Sequence, residues 1–150
     1  MATQPRALKS LYGKKLGLGA YGQLVANGID ITPKCVDAAI TVAAPVGDAR
    51  AITIQLKDSF GNDIDYVEEV EIGVFTTAAR VAYATTGGST GLAIGTDGAL
   101  LALVAKKRFV ATSESDGDID LSFTDTADEP CFIGVKLPTG RYVMADITLS

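Results

Sequence analysis

Alternation of apolar and polar residues with period two runs through much of this chain, and it constrains the fold more than any other feature. Successive side chains of an extended strand project from opposite faces of a sheet, so such a segment has one dry face and one wet one. Residues 51–57 set Ile52, Ile54 and Leu56 against Thr53, Gln55 and Lys57. Residues 69–75 set Val70, Ile72 and Val74 against Glu69, Glu71 and Gly73. In residues 118–124 Ile119, Leu121 and Phe123 oppose Asp118, Asp120, Ser122 and Thr124, and near the end Val143, Ala145, Ile147 and Leu149 alternate with Met144, Asp146 and Thr148. Segments of this kind predict antiparallel sheets packed face to face.

Turn residues punctuate the runs. Asn27-Gly28 and Asp97-Gly98 each suit a tight type I′ turn, which predicts hairpins across them, the second joining residues 92–96 to 99–103. Residues 58–62, 115–117 and 138–140 read as further breaks, and 85–90 (TTGGST) as a mobile loop tip. Residues 100–111 are compatible with helix by propensity, but their surroundings favour strand. The expected fold class is therefore all-β: an antiparallel β-sandwich or a jelly-roll-like barrel. At 150 residues, the chain is long enough for one real core.

Residues 1–34 differ in character. They are rich in glycine and carry Arg6, Lys9, Lys14, Lys15 and Lys34 against Asp30, a net of 5 − 1 = +4, so the overall −5 leaves −9 for residues 35–150. This segment reads as an extended arm with a small hairpin, docked on a partner, ahead of a sandwich body over 35–150. Its basic residues are few and barely interleaved with aromatics, so nucleic acid is not the expected target. An acidic protein surface is. No apolar run approaches the length of a membrane span, and the amino terminus lacks a signal-peptide pattern, so no membrane partner is expected and the chain should stay in the compartment where it is made.

Candidate chemistry is sparse. Histidine is absent, which removes the usual proton shuttle, His-activated nucleophiles and His-based metal sites. Cys35 and Cys131 lie far apart without metal-ligand spacing and read as buried thiols. Residues 17–22 (GLGAYG) match the dinucleotide fingerprint, with Asp37 at a tolerable distance for a ribose-binding acid, but residues 23–28 carry a hairpin signal rather than the helix that must hold the pyrophosphate. Asp116, Asp118 and Asp120 invite a calcium reading, yet Gly117 breaks the EF-hand order and a turn feeding a strand is the simpler account. Neither a nucleophile elbow nor a P-loop is present, so no enzyme activity, cofactor or metal is expected. Lys106, Lys107 and Arg108 form the densest basic cluster of the body. They read as a solvated strand edge or as a salt-bridging subunit contact, with Glu68, Glu69 and Glu71 as a counterpart on a neighbour.

Two parts of the sequence also resemble known proteins. Residues 10–30 (SLYGKKLGLGAYGQLVANGID) resemble an amino-terminal segment of tailed-phage virion proteins. Residues 52–64 (ITIQLKDSFGNDI), 94–104 (IGTDGALLALV) and 135–150 (VKLPTGRYVMADITLS) are similar to the β-sandwich modules of bacteriophage head decoration, cement and fibre proteins. The resemblance implies a structural protein of the virion, made in the host cytoplasm and placed on the capsid exterior. Its partners would be the major capsid protein and itself, as a dimer or trimer. The docking residues would be Leu11, Tyr12, Lys14, Lys15, Leu16, Leu18 and Tyr21. The alternative is a tail or fibre module that adsorbs to a host through loops such as 85–90.

Overall fold

The computed structural model describes residues 34–149, which lie within a compact unit of residues 33–150. The expected hairpin at Asn27-Gly28, the GLGAYG string and the seven docking residues of the arm lie outside the described residues.

The described residues form nine strands: β1 (Asp37–Val42), β2 (Ala49–Lys57), β3 (Glu69–Phe75), β4 (Gly91–Ile94), β5 (Ala99–Val104), β6 (Arg108–Thr112), β7 (Asp118–Thr124), β8 (Phe132–Lys136) and β9 (Tyr142–Asp146). They build two sheets, ordered β1-β2-β7-β4 and β5-β6-β3-β8-β9, in which every pairing is antiparallel. The fold is an all-β sandwich.

Register explains how the alternation becomes a core. In the first sheet Ile52 faces Leu121 and Ile54 faces Ile119 across β2 and β7. In the second, Ile72 of β3 sits between Phe109 and Val135, and Val74 beside Ile133. These side chains are all buried and together form one cluster between the sheets. Each fully buried side chain of this size stabilises the fold by about 1.5–3 kcal/mol, so a slip of one residue, which would turn a whole set outward, is strongly disfavoured.

One turn and one strand expectation need correction. Asp97-Gly98 does not close a hairpin, because β4 pairs with β7 in one sheet and β5 with β6 in the other, so the dipeptide carries the chain between layers. Its glycine is still required: Gly98 has φ +89°, and a Cβ there would stand 2.7 Å from the Thr112 carbonyl oxygen. The dipeptide reports a local backbone bend, whereas strand partners are chosen by long-range burial. Residues 100–111 do form strand, but in two pieces. The tight hairpin falls at 105–107, where Lys106 takes φ 63°, so Lys106 and Lys107 lie in a turn and only Arg108 begins a strand.

Loop 85–90 is tethered rather than free. The Thr85 and Thr86 N–H groups and the Thr86 hydroxyl donate to the Glu129 carboxylate, and the Ser89 N–H donates to Asp125 Oδ1 at 3.1 Å. Asp125 is 1% exposed and also accepts the Ala127 and Glu129 N–H groups at 3.0 and 2.9 Å. Gly87 and Gly88 are buried. The glycines that suggested mobility instead allow the backbone to lie close to its neighbours.

Candidate protein-binding surface

The solvent face of the five-stranded sheet has an unusual centre. Gly73 of β3 and Gly134 of β8 are register partners. The Phe75 ring lies over both: a Cβ on Gly73 would stand 2.6 Å from it, and one on Gly134 2.8 Å. Phe75 is therefore buried although it sits outside the main core. Tyr83 stacks on it at 5.0 Å between centroids, Tyr142 meets it edge-on at 6.2 Å, and the Arg80 guanidinium lies 4.0 Å from the Tyr142 centroid. Such aromatic and cation–π contacts build an amphipathic platform, with Tyr83 46% exposed.

Charged residues frame this platform. Arg108 and Lys136 reach the Glu71 carboxylate from either flank, at 3.0 and 3.8 Å. The hydrogen bond and charge of Glu71 raise the arginine's pKa further. Glu71 and Arg108, candidates for contact between subunits, thus meet within one chain. Glu69 lines an open groove of about 370 Å³ with Glu71, Lys136, Pro138 and Thr139. The Glu68 carboxylate accepts the Glu69 N–H. Lys106 donates to the Ser89 carbonyl oxygen, and Lys107 is half-buried in the same turn.

Edge strand β5 continues the surface. Its sequence is ALLALV, and Leu101, Leu103 and Val104 are 65%, 49% and 50% exposed; Ile94, at the end of β4 in the other sheet, is 40% exposed. The run IGTDGALLALV contains this edge, but nothing in its spacing separates an exposed strand from a buried one.

Acidic residues gather at the start of β5. The carboxylates of Asp97, Asp118 and Asp120 lie within 4.8 Å of one another, and these are the residues that would hold a hard cation. Asp116, the first residue of the sequence pattern, instead accepts the Asp118 N–H at 3.4 Å, while Asp97 arrives from the β4–β5 connection. Asp120 accepts the Thr53 hydroxyl at 2.9 Å. Asp118 Oδ1 is buried without a hydrogen-bond partner. Burial, followed by the charges of Asp120, Asp116 and Asp97, holds the Asp118 carboxyl above its usual range against the opposing Ile119 N–H.

Both cysteines are buried. Desolvation, reinforced by nearby carboxylates, pushes the Cys35 thiol up to about 11 and the Cys131 thiol to about 12, which keeps both as thiols at neutral pH. Asp37 opens β1 and pairs with Arg141 at 3.3 Å. Among the described residues no helix is long and apolar enough to cross a membrane.

No family model and no curated protein matches the chain. Among solved structures it is similar to a cohesin module from Clostridium perfringens ATCC13124 family 33 glycoside hydrolase, at 12% identity over 77% of this chain and 96% of that one, with a TM-score of 0.44.

Proposed function

We propose that this protein is a non-enzymatic structural component of a bacteriophage virion that binds the outer surface of the assembled capsid and cements neighbouring major capsid subunits. The observation that carries the reading is a sandwich that leaves the apolar edge strand β5 in solvent, in a chain whose first 34 residues are basic and whose body is acidic. A strand that has no partner on its outer flank among the described residues, and an oppositely charged amino-terminal segment, are means of joining one protein surface to others. The phage-like segments of the sequence supply the identity of that surface. Residues 1–34 would lie along the capsid with Leu11, Tyr12, Lys14, Lys15, Leu16, Leu18 and Tyr21 as contacts, and repetition over a lattice would convert modest affinity into firm attachment.

Deleting residues 1–22 tests this. The truncated body should remain folded by circular dichroism and lose binding to purified capsids in co-sedimentation. A truncated chain that still saturates capsids overturns the docking role of the arm. Many copies per virion would support the capsid location, whereas only a few would favour the tail or fibre alternative.

A further inference from the structure

The two sides of the sandwich differ. On one, β1 lies beside β9, and Asp37 at the start of β1 pairs with Arg141, the residue just before β9. On the other, β5 has β6 on one flank and, among the described residues, no hydrogen-bonded strand on its outer flank. Soluble proteins blunt such an edge with charge, proline or brevity, because a bare row of N–H and C=O groups recruits another strand. The six residues of β5 include neither charge nor proline, and the irregularity between Ala102 and Val104 leaves residues 99–102 in regular register.

The two ends of β5 carry opposite charge. Before its first residue stand Asp97, with Asp118 and Asp120 close by, and the Glu114 carboxylate that accepts the Gly98 N–H. After its last residue the turn holds Lys106 and Lys107. We propose that β5 pairs antiparallel with β5 of a second copy about a two-fold axis, setting the turn lysines of each chain against Asp97 and Glu114 of the other. Parallel pairing would place like charges together, so the charge distribution selects the antiparallel arrangement. The contact is isologous and closes at two copies, giving one continuous ten-stranded sheet from two five-stranded ones and setting the exposed Leu101, Leu103 and Val104 of the two chains beside one another across the new seam. This deepens the structural reading above and rests on it for the self-binding role, while adding the surface and its symmetry.

The test uses the full chain in EDTA and analytical ultracentrifugation over a concentration series. Wild type is expected to be a dimer. Leu101→Lys/Leu103→Lys, Lys106→Glu/Lys107→Glu and Asp97→Lys/Glu114→Lys should each weaken the dimer by about tenfold or more while keeping the wild-type circular dichroism spectrum. Mixing the last two variants should restore dimerisation, since one is then acidic at both ends of β5 and the other basic at both; a folding defect would give no such rescue. A monomer at all concentrations, a trimer, a dimer indifferent to these substitutions, a dimer that needs added calcium, or a mixture without rescue overturns the pairing. Capsid co-sedimentation separates the two readings: a monomer that binds capsids overturns only the pairing, and a dimer without affinity for capsids overturns only the capsid role.

Discussion

The Arg108 guanidinium donates to Glu71 Oε2 at 3.0 Å, tying β6 to β3 on the solvent face of the five-stranded sheet. Lys136 approaches the same carboxylate from β8, so one glutamate serves two cations. All three side chains are partly in water, where screening leaves an ion pair little net effect. Glu71→Ala should therefore lower the melting temperature by no more than about 2 °C at low salt, and the difference should shrink in molar sodium chloride.

Asp125 should matter far more. It is buried and satisfies the N–H groups of Ser89, Ala127 and Glu129. Asp125→Ala orphans all three and should destabilise the fold by about 2–4 kcal/mol in urea denaturation. Amide exchange at Ser89 and Ala127 should accelerate, and Asp125→Asn should recover part of the loss.

Asp118 supplies a pH test. Its folded carboxyl binds a proton more tightly than the unfolded one, whose usual value is 3.8, so stability falls as pH rises through the folded value. Asp118→Asn removes that cost. It should raise the melting temperature by a few degrees at about pH 7 and bring no comparable gain near pH 3, where the wild-type carboxyl is already neutral. An equal gain at both pH values would mean that the amide side chain packs better for reasons other than charge.

Glu129 runs the other way. Burial alone would raise its pKa, but hydrogen bonds from the Thr86 hydroxyl and the Thr86 and Thr85 N–H groups outweigh it and lower the value. The tether of loop 85–90 is thus fully present above the ordinary glutamate range and lost as pH falls through the lower folded value. Amide exchange at Thr85 and Thr86, corrected for its intrinsic pH dependence, should show protection disappearing in acid, and Glu129→Gln should weaken it at neutral pH.

The thiols provide a final check. With Cys35 at about 11 and Cys131 at about 12, about one thiol in a thousand or fewer is ionised at pH 8. Iodoacetamide should leave both unmodified in the native protein and alkylate both in urea, read by mass spectrometry. Rapid native labelling would show that one of them is accessible.

Much of the sandwich was legible because alternation is a local signal with a direct physical cause. Val70, Ile72 and Val74 point inward for the reason their spacing suggests, and the same holds for Ile52, Ile54 and Leu56 and for Ile119, Leu121 and Phe123. Phe75 and Gly73 escaped that logic, since a ring folded over two glycines on the outer face is a tertiary arrangement. Asp97 was likewise hidden: it belongs to another segment than Asp118 and Asp120 and joins them only when β4 and β5 enter different sheets.

The sequence by itself determined that strands form, which side chains face inward, and where glycine must relieve the backbone, because these depend on residues near one another in the chain. Only the tertiary structure decided which strands pair, that Asp97-Gly98 crosses between layers, that Asp125 and Glu129 hold loop 85–90, and that ALLALV lies at an edge. Those outcomes depend on which distant segments compete for the same buried area and the same hydrogen bonds, and period-two spacing is the same in a central strand as in an exposed one.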